Sequence, residues 1–142
     1  MSANTSPIFT RAPDVQWVVN CTAANNTIDI TSGTSYLAFT ADATNGGYVK
    51  ELRVKANPSA NTVATVMRIW LNNGSAIGTD VNSTLIGELG IPATTAAAST
   101  PLPDFTYALE MPLPAGYKIY VTFGTAPGGS GEYCVTAVGG KY

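Results

Sequence analysis

Residues 47–57 read GYVKELRVKAN, a stretch in which apolar and charged side chains alternate. On an extended strand Leu52 and Val54 would share one face, whereas Arg53 and Lys55 would share the other. Alternation with a period of two is typical of a β-strand with one face buried and one face in water. The stretch therefore predicts an amphipathic strand of an antiparallel sheet.

The rest of the chain contains similar short apolar or alternating runs, separated by turn residues. The further predicted strands cover residues 15–22, 27–31, 36–41, 63–72, 84–91, 105–111, 117–123 and 132–138. No stretch keeps the spacing of three and four residues that marks an amphipathic helix. The fold class we predict is all-β, namely an antiparallel β-sandwich or jelly roll of eight to nine strands with an extended N-terminal arm.

We divide the chain into an N-terminal arm, residues 1–14, and a single β-sandwich domain, residues 15–142. The arm reads MSANTSPIFTRAPD, which contains two prolines and no alternating pattern, and this predicts an extended segment. Two later loops, residues 92–103 and 124–131, carry no charged residue. Because long loops in a compact domain are often functional, we expect the arm and these loops to contact neighbours.

Charge is scarce in this chain. Its 142 residues include 7 Lys or Arg and 9 Asp or Glu, so that 11% are charged and the net charge is −2. An ordinary soluble domain has about 25% charged residues. A surface with few charges is poorly protected against association, so we expect part of it to be committed to partners.

The composition also excludes several kinds of catalytic site. Without histidine there can be no Ser-His-Asp or Cys-His arrangement, and two cysteines cannot form a Cys₄ zinc site. Three carboxylates, Asp104, Glu110 and Glu132, are conceivable catalytic groups, but their spacing indicates no pair. We therefore predict that the chain is not an enzyme and that it has no cofactor and no metal site.

Nucleic acids and membranes are poor partners for such a sequence. Lys50, Arg53, Lys55 and Arg68 come nearest to a basic cluster, but they alternate with apolar residues, which favours solvated strand faces over a phosphate-binding patch. The sequence contains no run of 18 apolar residues, so it predicts no membrane-spanning helix, and residues 1–14 lack the pattern of a signal peptide. We expect no nucleic acid and no membrane among the partners.

Cys21 and Cys134 lie near opposite ends of the chain, each within an apolar run. A disulfide and two buried free thiols are both possible, and we favour free thiols because no export signal is present. If the first and last strands lie side by side, as in many jelly rolls, the two residues would be close together in either case.

A family resemblance extends over about residues 45–142. The segments that carry it, in order, are GYVKELRVKANPS (47–59), ATVMRIWLNNG (64–74), MPLPAGYKIYVTFGT (111–125) and YCVTAVGGKY (133–142). In this order the chain resembles the jelly-roll capsid decoration (cement) proteins of tailed bacteriophages. The resemblance implies a homotrimer at local three-fold positions of an icosahedral shell, which binds the major capsid protein and stabilises neighbouring capsomers. It also implies a location in the virion, which is assembled in the host cytoplasm, and a terminal arm that reaches adjacent subunits. It implies no catalytic residues.

We therefore predict a structural virion protein that decorates the capsid. The predicted contact residues are Pro7, Ile8, Phe9 and Arg11 in the arm, and Trp70 if its face of the strand is exposed. The other interpretation of Trp70 is that both faces of its strand are buried in the sandwich.

A receptor- or carbohydrate-binding module of a phage tail fibre or spike is the alternative function. Jelly rolls include lectin domains, and Trp17, Trp70 and the 7 tyrosines could provide surfaces for sugar stacking. Packing in the core or at a protein interface is the competing explanation of these aromatic residues, and we favour it.

Overall fold

The computed structural model describes residues 10–142, and its regular structure consists of eight strands and one short helical turn. The strands are β1 (Ala12–Cys21), β2 (Tyr36–Thr40), β3 (Gly47–Ala56), β4 (Thr65–Asn72), β5 (Ser83–Ile91), β6 (Phe105–Leu113), β7 (Lys118–Phe123) and β8 (Tyr133–Lys141). The turn of 3₁₀ helix, Asp80–Asn82, lies between β4 and β5.

The strands form two antiparallel sheets of four strands each. The order in the first sheet is β1-β8-β3-β6, and the order in the second sheet is β2-β7-β4-β5. The first strand therefore pairs with the last, the second with the seventh, the third with the sixth and the fourth with the fifth. This is the pairing of one long hairpin rolled into two layers, which is a jelly roll, and it confirms the predicted fold class.

The core lies between the two sheets and contains the inward faces of the alternating strands. In β3, which covers most of residues 47–57, Leu52 and Val54 are fully buried while Arg53 and Lys55 face water. Phe123 of β7 stacks on Tyr133 of β8, with ring centroids 5.1 Å apart. Because these two strands belong to different sheets, the aromatic pair connects the layers, and such pairs add about 1 kcal/mol beyond the burial of their area.

Residues 27–31, which we predicted as a strand, form a turn instead. The side chain of Asn25 is buried, and its Nδ2 donates hydrogen bonds to the carbonyl oxygens of Asp29 (2.7 Å) and Ser32 (2.9 Å). Ile28 has a left-handed backbone conformation, with a φ of 58°. The strand prediction was wrong because a side-chain amide here satisfies backbone groups that a sheet ladder would otherwise pair.

Strand β1 begins at Ala12, which is earlier than the start at residue 15 that the sequence predicts. Ala12 and Asp14 pair with Lys141 and Gly139 of β8, so the end of the predicted arm belongs to the first sheet. Pro13 is tolerated between them because β1 is an edge strand. Residues 1–9 lie outside the described residues, and the division into an arm and a domain stays a prediction.

The two cysteines lie on the neighbouring strands β1 and β8, as expected if the ends of the jelly roll are adjacent. Both are free thiols, with Cys21 buried and Cys134 half-buried. Burial raises the pKa of Cys21 to about 12, and burial also raises the pKa of Cys134. Both thiols therefore stay protonated near neutral pH and are poor nucleophiles.

Candidate functional site

Strand β1 lies at an edge of the first sheet and presents three large apolar side chains to solvent. Val15, Trp17 and Val19 are 48%, 68% and 46% exposed. They occupy alternate positions, so they share the outer face of the sheet. We call these three residues the β1 strip. Apolar rows on exposed edge strands are typical sites of protein association.

A side-chain bridge holds β1 in this orientation. Gln16 Nε2 donates a hydrogen bond to the carbonyl oxygen of Thr40 at 2.8 Å, and the Thr40 amide nitrogen donates one to Gln16 Oε1 at 2.9 Å. Thr40 is the last residue of β2, which is the edge strand of the second sheet. Gln16 therefore takes the place of a strand partner and connects the two sheets. Because adjacent residues of a strand face opposite sides, the bridge directs Val15 and Trp17 outward.

A β-bulge ends the β1 strip. The pairing of β1 with β8 changes register between Val18 and Cys21, and Asn20 has a φ of 58°. Asparagine adopts this left-handed conformation more readily than branched residues do. The bulge returns Cys21 to the core while Val19 and Asn20 both remain exposed, so it sets the length of the strip.

The neighbouring strand β8 extends the apolar surface. Thr136 and Val138 of β8 pair with Trp17 and Val15, and both are half-buried. An open groove of about 490 Å³ runs beside these residues, with Cys134 as part of its lining. A partner that covers the β1 strip would therefore also meet β8.

The far side of this groove is charged, and one carboxylate lies between two cations. Lys55 Nζ lies 2.8 Å from Asp104 Oδ1, and Arg53 Nη2 lies 3.9 Å from Asp104 Oδ2. The hydrogen bond from Lys55 is the main cause that lowers the pKa of Asp104. These side chains are half-exposed, so the pairs add little to stability, and Asp104 offsets only one of the two positive charges. The outer face of the first sheet thus has an apolar side at β1 and a charged side at β3.

The predicted contact residues have different positions in the structure. Pro7, Ile8 and Phe9 lie outside the described residues. Arg11 is exposed, and its amide nitrogen donates a hydrogen bond to the Lys141 carbonyl oxygen at 2.7 Å, just before β1. Arg11 therefore leads directly into the strand that carries the β1 strip.

Trp70 does not offer the exposed face on which its prediction depended. It is 8% exposed, and its Nε1 donates a hydrogen bond to Thr122 Oγ1 at 3.1 Å. The reason is its position on β4, which lies between β7 and β5 inside the second sheet. The indole packs over a neighbouring strand, so Trp70 is not available as a contact in the single chain.

Sequence reasoning missed Val15 and Val19 as surface residues. Both belong to the run VQWVV (residues 15–19), which is apolar at odd positions and partly apolar at even ones. Such a run is usual for a strand buried on both faces. Gln16 is the signal that could have distinguished a strand buried on both faces from one with an exposed face. It is the polar residue of the run, and its side chain lies on the face opposite to Val15 and Trp17.

The three carboxylates considered as catalytic groups lie in separate surroundings. Asp104 is paired with Lys55, Glu132 accepts a hydrogen bond from Asn57, and Glu110 lies on β6 with a φ of 47°. Among residues 10–142 no group of three or more metal-ligating side chains could hold a metal ion. Within the same residues no helix is long and apolar enough to cross a membrane.

The two uncharged loops are tied to one end of the sandwich. Thr62 and Thr94 exchange backbone hydrogen bonds of 2.9 and 3.0 Å, and Val63 donates one to the Pro127 carbonyl oxygen at 2.9 Å. Leu102, in the first of these loops, is buried against the core. Both loops therefore pack against the segment that precedes β4.

Comparisons with known proteins find no matching family model and no matching curated protein. A chain in the crystal structure of the T13 IBDV viral particle is similar over 99% of this chain, with a TM-score of 0.43 and 13% identity. A chain in the structure of infectious bursal disease virus, Gx strain, is similar over 99% as well, with a TM-score of 0.34 and 13% identity. This chain spans 35% and 36% of the lengths of those two chains, so it corresponds to about a third of each.

Proposed function

We propose that this chain is a structural virion protein that decorates the capsid shell, and that it binds the major capsid protein through the β1 strip. The observation that carries the proposal is the position of Val15, Trp17 and Val19 in one exposed row on an edge strand. An exposed apolar row of this kind suits contact with a protein partner. The proposal agrees with the resemblance of the sequence to phage decoration proteins.

The area available on the strip sets the strength of a single contact. Fully burying one large apolar side chain is worth about 1.5–3 kcal/mol. With two half-exposed valines and a tryptophan that is 68% exposed, burial of the strip would contribute about 4 kcal/mol per copy. Association itself costs at least about 4 kcal/mol, so one strip gives a weak contact.

Repetition would convert this weak contact into firm attachment. If several copies are joined, as in the homotrimer that the resemblance implies, the second and third strips bind at a high effective concentration. Each occupied site would then hold neighbouring capsomers together, and the function would be mechanical. The bridge between Gln16 and Thr40 keeps the strip in one orientation, which reduces the ordering that binding has to impose.

The test is co-sedimentation of the purified chain with shells of the major capsid protein. The variant V15T/W17T/V19T replaces the apolar strip with threonines, whose β-branched side chains suit a strand. We expect it to bind the shells at least about tenfold more weakly, because a loss of 1.4 kcal/mol is already tenfold. The matched control is V63T, since Val63 is a valine with similar exposure (44%) outside the strip. Equal binding by the triple variant and the wild-type chain would refute the proposal.

Carbohydrate binding is the second candidate function, and the exposure of Trp17 is the observation that favours it. A flat, exposed aromatic side chain can stack on a sugar ring, and Trp70 cannot because it is buried. A glycan array with the wild-type chain and W17T separates the two functions. Selective binding of a glycan that W17T loses would support the carbohydrate-binding module and count against shell decoration.

A further inference from the structure

A second surface lies on the outer face of the second sheet. An open groove of about 430 Å³ runs beside the beginning of β4 and the segment that follows β7. Val66 and Ile28 provide apolar lining, while Arg68 and Thr125 provide polar lining. We call this feature the Arg68 groove.

The guanidinium of Arg68 is the main polar group of the groove. Its side chain is only 14% exposed, and its Nε lies 2.8 Å from Glu88 Oε1. The direction of this contact is unsuitable for a hydrogen bond, so Nε is a buried donor without an acceptor. Across residues 10–142 the structure records no acceptor for Nη1 or Nη2 either. Glu88 offsets the charge of Arg68 on the Nε side, and the Nη1 and Nη2 donors that remain can bind a second carboxylate with two parallel hydrogen bonds.

The residues around Arg68 leave its guanidinium group accessible. A Cβ atom at Gly124 would lie 3.1 Å from Arg68 Nη1, so a side chain there would crowd the guanidinium. On the opposite side Ile28 is 61% exposed and has a φ of 58°, a conformation that β-branched residues rarely adopt. Strained residues of this kind often occur where a protein binds something.

A complementary projection occurs elsewhere on the same chain. In the 3₁₀ turn Asp80–Asn82, Val81 is 87% exposed and Asp80 beside it is exposed. The turn is braced, because Asn82 Nδ2 donates a hydrogen bond to the Ala76 carbonyl oxygen at 2.9 Å. We call Asp80 and Val81 the turn knob. It presents a carboxylate next to an apolar side chain, and the Arg68 groove presents a guanidinium next to apolar side chains.

The knob and the groove lie at opposite ends of the second sheet. Strand β4 begins with Thr65, which lines the groove, and ends with Asn72, which leads into the connection that carries the knob. Arg68 lies four residues before the end of β4, which is about 13 Å at 3.3 Å per residue. Among residues 10–142 the structure records an ion pair of Arg68 with Glu88 and none with Asp80, so the knob does not occupy the groove of its own chain.

We propose that the turn knob of one copy of this chain binds in the Arg68 groove of a second copy. Asp80 accepts hydrogen bonds from Nη1 and Nη2 of Arg68, beside the ion pair of Arg68 with Glu88, and Val81 packs against Ile28 and Val66. Such a contact is heterologous, since each copy uses its turn knob for one neighbour and its Arg68 groove for another. Head-to-tail contacts of this kind close into rings when the rotation between copies allows it. The contact does not involve the β1 strip and requires no shell.

The test is the mass of the purified chain in solution, measured by analytical ultracentrifugation without any shell present. The knob variant D80N/V81S changes only exposed residues, so the fold should not be affected. We expect the dissociation constant of its self-association to rise about thirtyfold. This is the lower end of the range of effects seen when one partner of a buried charge pair is truncated. The control V63T should associate like the wild-type chain. A wild-type chain that is monomeric would overturn the proposal. So would a D80N/V81S variant that associates as tightly as the wild-type chain, or a V63T control that associates as weakly as the knob variant.

A mixing experiment tests the head-to-tail geometry. The groove variant R68Q removes the guanidinium, and its fold is checked by circular dichroism. Alone, neither R68Q nor D80N/V81S should self-associate. Mixed, they should form a heterodimer, because the intact knob of R68Q fits the intact groove of the knob variant. Absence of that heterodimer with a folded R68Q would overturn the proposal. Shell binding is measured separately, so failure here is distinguishable from failure of the decoration function.

Discussion

Replacing Gln16 by alanine removes the bridge that connects β1 to β2 and orients the β1 strip. Two hydrogen bonds with Thr40 are lost, of 2.8 and 2.9 Å. A typical intramolecular hydrogen bond contributes about 1 kcal/mol net. Because Thr40 is half-buried, water can reach part of its freed backbone groups and offset some of the loss. We expect Gln16→Ala to lower the free energy of unfolding by about 1–2 kcal/mol.

Thermal and urea unfolding, followed by circular dichroism, measure this change. For a domain of this length, 1 kcal/mol corresponds to a shift in Tm of about 3–5 °C, so we expect Tm to fall by about 5 °C. The fluorescence of Trp17, on the same strand, should report loosening of β1 below the main transition. An unchanged Tm in Gln16→Ala would refute the role that we assign to the bridge.

Gln16→Glu is the companion variant, and its effect should depend on pH. The introduced carboxylate keeps an acceptor for the Thr40 amide, but at neutral pH it places a negative charge against the Thr40 carbonyl oxygen. Asp14 Oδ2 is also close, at 3.1 Å from Gln16 Nε2 in the wild-type chain. These neighbours should raise the pKa of the introduced carboxyl in the folded chain above its value in the unfolded chain. The folded state then binds the proton more tightly, so stability relative to Gln16→Ala should recover as pH falls through the raised value. Failure to recover would contradict the geometry of the bridge.

Three further outcomes follow from the structure. Deleting residues 1–9 should weaken shell binding but leave the circular dichroism spectrum unchanged, because β1 begins at Ala12; unchanged binding would contradict the arm prediction. Lys55 lowers the pKa of Asp104 from 3.8, so the stabilisation from this pair is present at neutral pH and is lost as pH falls through the lowered value. Urea unfolding of Asp104→Asn at several pH values should therefore show a smaller acid-induced loss than the wild-type chain, and an equal loss would contradict the pairing. Cys21 should resist alkylation at pH 8 until the chain unfolds, because burial raises its pKa to about 12; rapid labelling of the folded chain, measured by peptide mass spectrometry, would contradict this.

Local patterns predicted all eight strands, with one false strand at residues 27–31, but not their places in the sheets. Alternation in residues 47–57 predicts which side chains of β3 are buried, because the strand has one wet face and one core face wherever it lies. The run at residues 15–19 is different. Its apolar residues are compatible with a strand buried on both faces, and Val15 and Val19 are exposed because they lie on the outer face of the first sheet. Which face of a strand points outward depends on how distant strands pair and stack, which no local window contains.

Side-chain substitutes for backbone pairing were the other feature that the sequence did not reveal. Asn25 bonds to the carbonyl oxygens of Asp29 and Ser32, which ends any ladder in residues 27–31. Gln16 bonds to both backbone groups of Thr40 in a similar way. In each case one side-chain amide bonds to backbone groups that a neighbouring strand would otherwise pair. Which backbone groups it reaches depends on how the chain folds. The same holds for Trp70, whose burial depends on the strands that lie on either side of β4.

The two proposed contacts use different sheets, and this separation has a physical consequence. The β1 strip lies on the first sheet, while the Arg68 groove and the turn knob belong to the second sheet. A copy joined to its neighbours through the second sheet therefore leaves its strip free for a shell. A ring of such copies would present several strips at once, and the weak binding of each strip, about 4 kcal/mol of burial, would be sufficient because the strips act together. Scarce surface charge suits the β1 strip in particular, because a partner that covers Val15, Trp17 and Val19 displaces water from apolar side chains and not from ions.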